Sequence, residues 1–320
     1  MTEFNKFNYK GSVPEQTSGT PTPIENIEIE YLVIGGGGGG SGAFSSNTQG
    51  AGGGAGGYLN SYASENSGGN NSTLTPKYIG LTKKYYISIG AGGGYGGNDT
   101  GGGGQFDGYN GSPTIFDNVI ALGGGGAIWN SETNPINQGV FGSGGGGRSN
   151  LQIGTISPTI QTLGKFTNER THIEQTMGSV GRNASTSTSY GSRAGGGGGG
   201  ASGDSSTYTH STSGVAGLSS SITGSAVTRG AGGGGRGSGT GNGSNGTANY
   251  GNGGQGGAYQ NFAYGSRRGG NGGSGVVIIR YASTDANIVV GAGLTQTSAT
   301  DGADTVVTFT AGSGYIWWRE

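Results

Sequence analysis

The chain contains no cysteine, so neither disulfide bonds nor thiolate metal sites are open to it. It has only 7 prolines in 320 residues, and its glycines come in blocks; a collagen triple helix needs abundant proline and glycine at every third position. Charge is scarce as well, with 16 basic against 17 acidic residues and a net charge of −1. A nucleic-acid binder carries a basic excess, so no nucleic-acid partner is expected. No run approaches the roughly 18 apolar residues of a membrane span, and none is expected to insert. Helical periodicity is nowhere strong. The first ten residues, Met1 to Lys10, lack the apolar stretch of a signal peptide.

What the chain has in excess is glycine, 81 residues where about 7% is ordinary usage. Glycine loses more backbone entropy on folding than any other residue, so composition alone reads as disorder or a flexible linker. The strand-forming runs that feed the glycine blocks argue otherwise. Ile27-Glu28-Ile29-Glu30-Tyr31-Leu32-Val33-Ile34 alternates in its first half and runs into Gly35 to Gly40. Tyr85 to Ile89 leads into Gly90-Ala91-Gly92-Gly93-Gly94, and Thr114 to Leu122 leads into Gly123 to Gly126. The order inverts at Gly272-Gly273-Ser274-Gly275, which opens into Val276 to Tyr281. These junctions have no fixed period, which disfavours a propeller or solenoid.

A strand that opens into glycine can continue as an extended polyglycine helix, with three residues per turn and about 3.1 Å per residue. Such a helix has no internal hydrogen bonds. Packed side by side, several can satisfy one another's backbone groups, and only glycine lets them approach closely enough. The expected fold is therefore mainly β with extended polyglycine II segments: a small β-sandwich-like framework carrying a packed glycine-rich bundle, with almost no α-helix. Residues 1–26, which end in Thr20-Pro21-Thr22-Pro23, read as an extended docking arm. Residues 27–282 form the glycine-rich domain, and 283–320 a C-terminal β segment expected to complete the framework. The polar stretch from Leu151 to Arg193 is open between a hairpin and a short helix.

Little in the sequence suggests catalysis, and the chain is expected to be no enzyme and to hold no cofactor. Matches to G-x-G-x-x-G arise by chance at this glycine content, and none opens a helix with an acidic residue about twenty positions on. Gly164-Lys165 is followed by Phe166 rather than Ser or Thr, so there is no P-loop. The two histidines, His172 and His210, have no metal-ligand spacing. Asp99, Asp107, Asp301 and Asp304 read as turn formers rather than a converging calcium set. Arg229-Gly230, Arg236-Gly237 and Arg267-Arg268-Gly269-Gly270 resemble RNA-binding RGG segments, without the overall basic charge. Aromatics beside glycine blocks are the more informative set. Tyr58, Tyr95, Trp129, Tyr259 and Tyr264 are the candidate receptor-facing side chains, since aromatics on loops contact sugars and proteins at low entropic cost. The competing reading is that they roof the glycine bundle.

The run from Tyr31-Leu32-Val33-Ile34 and its six glycines, through Gly52 to Tyr58, Ile87 to Gly93 and Ile120 to Gly126, to Gly272 through Tyr281, resembles the glycine-rich domain of phage and large-virus proteins. It is also similar to the adhesins at phage tail-fibre tips, in which polyglycine helices display variable loops. The resemblance implies a virion surface protein that assembles in the host cytoplasm and is released by lysis. It further implies a tail fibre or adhesin that recognises a host glycan or protein through loops. The alternative is a purely architectural subunit that acts by self-assembly. Either reading expects a homo-oligomer, a trimer first, and docking of the N-terminal arm onto other virion proteins.

Overall fold

The computed structural model describes residues 26–43, 49–81, 83–97, 106–128, 139–147, 161–163, 165–167, 174–182, 194–203, 212–237, 241–258 and 267–319. The docking arm assigned to residues 1–26 lies outside them, apart from Asn26. The early strands are β1 (Asn26–Ile34), β2 (Tyr58–Asn60), β3 (Lys77–Gly80), β4 (Tyr85–Ser88), β5 (Thr114–Phe116) and β6 (Val119–Ala121). Short pairs follow: β7 (Gly139–Phe141) with β8 (Gln161–Leu163), β9 (Lys165–Thr167) with β10 (Glu174–Thr176), and β11 (Leu218–Ser220) with β12 (Val227–Arg229). The chain closes with β13 (Val276–Ala282), β14 (Asn287–Val290), β15 (Leu294–Asp301) and β16 (Asp304–Arg319). Of the undecided stretch 151–193, the described part is β8, β9, β10 and residues 177–182. No α-helix occurs among the described residues.

Ten strands form one sheet in the order β2-β1-β13-β16-β4-β5-β6, with β3 on β1 and both β14 and β15 on β16. The fold is mainly β, as expected, and this sheet is nearly closed and barrel-like; β16 supplies the reason for its shape. Its first half pairs with β13 from Val277↔Phe309 to Ala282↔Asp304, while β15 lies against the same half. Its second half passes to β4, from Ser313↔Ser88 to Ile316↔Tyr85, and to β14. Gly312, at φ 88, sits at the handover, and a register shift interrupts β15 at Thr295/Gln296. A left-handed glycine and a bulge bend a strand, so one sheet curls where two layers would otherwise separate. The strands after Ala282 are thus integral to the sheet.

Tyr31 to Ile34 loses the alternation of the first half of β1 because this half is buried on both faces. Ile27, Ile29, Tyr31 and Val33 face a cluster with Ile87, Phe116, Ile279, Phe309 and Trp318. Leu32 and Ile34 face a second cluster with Tyr58, Ile222, Val276 and Ile278. Each fully buried side chain of this size stabilises the fold by about 1.5–3 kcal/mol relative to exposure.

Beyond Ile34 the chain has no ladder, yet its backbone is fully engaged, with a period of three. Gly35, Gly38 and Ser41 donate their N–H groups to Gly57, Gly54 and Ala51. Gly36, Gly39 and Gly42 donate to Ser112, Tyr109 and Phe106, while Gly37, Gly40 and Ala43 donate to Gly273, Gly270 and Arg267. Other segments donate in return: Gly93 and Gly96 to Gly37 and Gly40, Gly124 and Ala127 to Gly36 and Gly39, Gly254 and Gly257 to Gly38 and Ser41. Segment 35–43 is therefore enclosed on every side by hydrogen-bonded chain. Segment 49–57 is enclosed in the same way by 35–43, 122–128, 142–147, 194–203, 230–237 and 250–258. Donor–acceptor distances cluster near 2.9 Å, the usual length of a strong N–H···O bond. The absence of side chains makes this possible: a Cβ on Gly38 would collide with the carbonyl group of Gly125.

Candidate functional site

The glycine segments run between two ends. At one end they join the sheet, with Ile34 entering Gly35, Gly275 entering Val276 and Leu122 following β6. The other end is marked by Ala43, Phe106, Ile128, Arg182, Arg236, Ala258 and Arg267. Pairings across these points place them together. Ala43 bridges Arg267, Gly241 bridges Ala258, and Ile128 bridges Gly147, whose N–H donates to the Arg182 carbonyl at 3.1 Å. The Gly42 N–H reaches the Phe106 carbonyl at 2.9 Å and that of Gly195 reaches Arg236 at 2.8 Å. These described residues therefore lie together at the end opposite the sheet, which we call the open end.

The sequence-derived candidates divide three ways. Trp129 directly follows Ile128, Tyr259 directly follows Ala258, and Tyr264 stands between Ala258 and Arg267; all three lie outside the described residues. Tyr95 is half-buried on segment 90–97. The Arg268 guanidinium stacks on its ring at 4.8 Å and donates to its hydroxyl at 3.2 Å. Tyr58 faces no partner: its side chain is fully buried with Leu32, Ile34 and Ile278, and burial pushes its phenol above the usual tyrosine range. The correction has a clear cause, since Tyr58 begins β2 and pairs with Ile34 at the junction of sheet and lattice. It does what the competing reading assigned to these aromatics.

Several polar residues matter that the sequence reading did not single out. Where a glycine segment lacks a neighbour, an asparagine side chain takes its place. The Oδ1 of Asn110 accepts from Gly126 N–H at 2.8 Å, that of Asn245 from Asn271 at 2.9 Å, and that of Asn271 from Tyr95 at 2.9 Å. Asn242 and Asn252 do the same for Arg268 and Ala231. The signal was legible in principle, because Asn242 and Asn245 stand three apart in a glycine run. Among the RGG-like arginines, Arg229 is buried with its guanidinium 5.3 Å over the Tyr250 ring, and burial pulls its pKa below the usual arginine value. Asp301 and Asp304 flank the β15–β16 turn, where Arg280 donates to them at 2.7 and 2.8 Å. His172, His210 and Asp99 lie outside the described residues.

No curated protein matches the sequence. The model of the glycine-rich domain family matches residues 14–282, the stretch that carries every glycine segment of the lattice, and the chain belongs to that family.

Proposed function

We propose that this chain is a virion surface protein of the phage tail-fibre or adhesin kind, in which the glycine lattice is a rigid mount and the connections at its open end grip a host glycan or protein. The supporting observation is the one-sided arrangement just described, with a hydrophobic sheet at one end of the glycine segments and the bridged residues Ala43, Arg267, Gly241 and Ala258 at the other. Binding residues on loops set by a rigid scaffold are a recurrent solution to recognition. Trp129, Tyr259 and Tyr264, the candidate receptor-facing aromatics outside the described residues, are the first residues to vary. In this reading residues 1–26 dock onto a neighbouring virion protein, and a trimer sets several open ends side by side. The test is binding of the purified chain to host-surface glycans and outer-surface proteins. We expect retention by a specific surface that is lost when 259–266 is replaced by a short Gly-Ser linker. Absence of binding to any host surface would remove the adhesin role.

A second reading, a purely architectural subunit, is favoured by one feature of the sheet. Tyr86 and Tyr315 form an exposed ring pair, 5.4 Å between centroids, on its outer side. Paired exposed aromatics suit a contact between subunits. Sedimentation would separate the readings: an assembly that dissociates in Tyr86→Ser/Tyr315→Ser, with no host binding, favours architecture.

A further inference from the structure

Around segment 250–258 one seat is unfilled among the described residues. Segment 250–258 bonds to five others. Gly254 and Gly257 donate to 35–43, Gly253 and Gly256 to 230–237, and Gln255 and Ala258 to 241–249. It accepts from Gly50, Gly53 and Gly56 on one side and from Gly270 and Gly273 on another. Going round it, 241–249 bonds to 267–275, which bonds to 35–43, which bonds to 49–57, which bonds to 230–237. Between 230–237 and 241–249 no hydrogen bond closes the ring among the described residues. A groove of about 350 Å³ lies there, walled by 231–234 and 244–247 and floored by Asn252, Gly253 and Gln255.

The groups facing this groove follow the period of the lattice. The carbonyls of Gly251 and Gly254 accept from 49–57 and those of Asn252 and Gln255 from 267–275, whereas those of Gly253 and Gly256 accept from no described residue. On one wall, Gly233 and Arg236 donate to 49–57 and Gly232 and Gly235 to 212–217, while the Gly234 N–H has no described acceptor. Asn252 and Gln255, three apart on the floor, reach to opposite walls: Oδ1 accepts from Ala231 N–H at 2.9 Å, and Oε1 from Ser244 N–H at 3.3 Å. Side-chain amides thus hold part of a position that elsewhere in the lattice belongs to a backbone.

We propose that this groove is a docking site for an extended glycine-rich strand from a partner protein, which would complete the ring around 250–258. The occupant accepts from Gly234 N–H, donates to Gly253 and Gly256, and displaces the two amides from the walls. Walls of four residues set its engaged length at about 12 Å, at about 3.1 Å for each extended residue. Glycine is required in it for the reason it is required in the lattice, since neighbouring backbones leave no room for Cβ. The site lies on the flank of the lattice and does not depend on the reading of the open end.

Gly234 gives a clean test. A Cβ there meets nothing nearer than the Thr212 carbonyl at 3.4 Å and the Gln255 amide at 3.7 Å, so Gly234→Val fills the seat without breaking the lattice. The probe is a fluorescein-labelled peptide of repeated Gly-Gly-Asn flanked by lysines, titrated with the full chain and followed by anisotropy. We expect saturable binding, at least tenfold weaker for Gly234→Val, and none for a matched Ala-Ala-Asn peptide; thermal unfolding checks that the variant folds. Absence of binding, or equal binding by the variant or the alanine peptide, would overturn the proposal. So would a chain that dimerises by itself, becomes monomeric in Gly234→Val and ignores the peptide, because the seat would then belong to a second copy.

Discussion

At the scale of single residues the structure separates glycines that cannot change from glycines that can. A methyl group on Gly38 meets the Gly125 carbonyl, which is itself hydrogen-bonded and cannot retreat. Gly38→Ala should therefore lower stability by at least about 2 kcal/mol, the middle of the range for overpacking. Gly234→Ala, whose methyl group makes only ordinary van der Waals contacts, should stay within about 0.5 kcal/mol of the parent, as ordinary surface changes do. Chemical denaturation of both variants checks the contrast. A second residue-scale prediction concerns Glu30, whose carboxyl is pushed up by burial, against the opposing pull of the Ala63 N–H at 2.8 Å and of Arg280. The folded chain then holds this proton more tightly than the unfolded chain, so the Glu30 contribution grows less favourable as pH rises through the raised pKa. Glu30→Gln stays neutral, and its stability relative to the parent should increase between about pH 4 and pH 7. Denaturation midpoints of both proteins across that range measure it.

At the scale of elements, β16 decides the shape of the sheet, and its second half depends on Trp318. That side chain is fully buried, with edge contacts to Tyr85 and Tyr281 at 6.0 and 5.9 Å. Trp318→Ala should cost about 3–5 kcal/mol and loosen β4 and β14 before β13, a sequence that amide exchange by segment would follow. Much at this scale was legible in the sequence. The apolar runs ending at Ile34, Ile89 and Leu122 and starting at Val276 mark where sheet meets lattice, because strand-forming side chains give way to glycine there. The curled sheet was not legible, since it depends on how β16 is divided between partners far apart in the chain. Tyr58 was misread for a related reason: an aromatic beside glycines looks like a loop residue until its pairing with Ile34 is known. Of the asparagines that stand in for missing neighbours, Asn242 and Asn245 were legible from their spacing of three, which matches the lattice period.

At the scale of the whole molecule, an apolar sheet and a backbone-bonded lattice share the work of folding. A chain so poor in hydrophobic residues and without cysteine has few means of ordering its glycines. Burial of hydrogen-bonded backbone on every side supplies one, since a buried N–H or C=O left unpaired is costly. The proposed display of loops and the proposed docking seat both require this lattice to be rigid. Hydrogen exchange of the amides from Gly35 to Gly40 tests that requirement most directly. The account predicts protection comparable to that of β13, although these residues belong to no strand or helix; exchange at the rate of an unstructured glycine chain would contradict it.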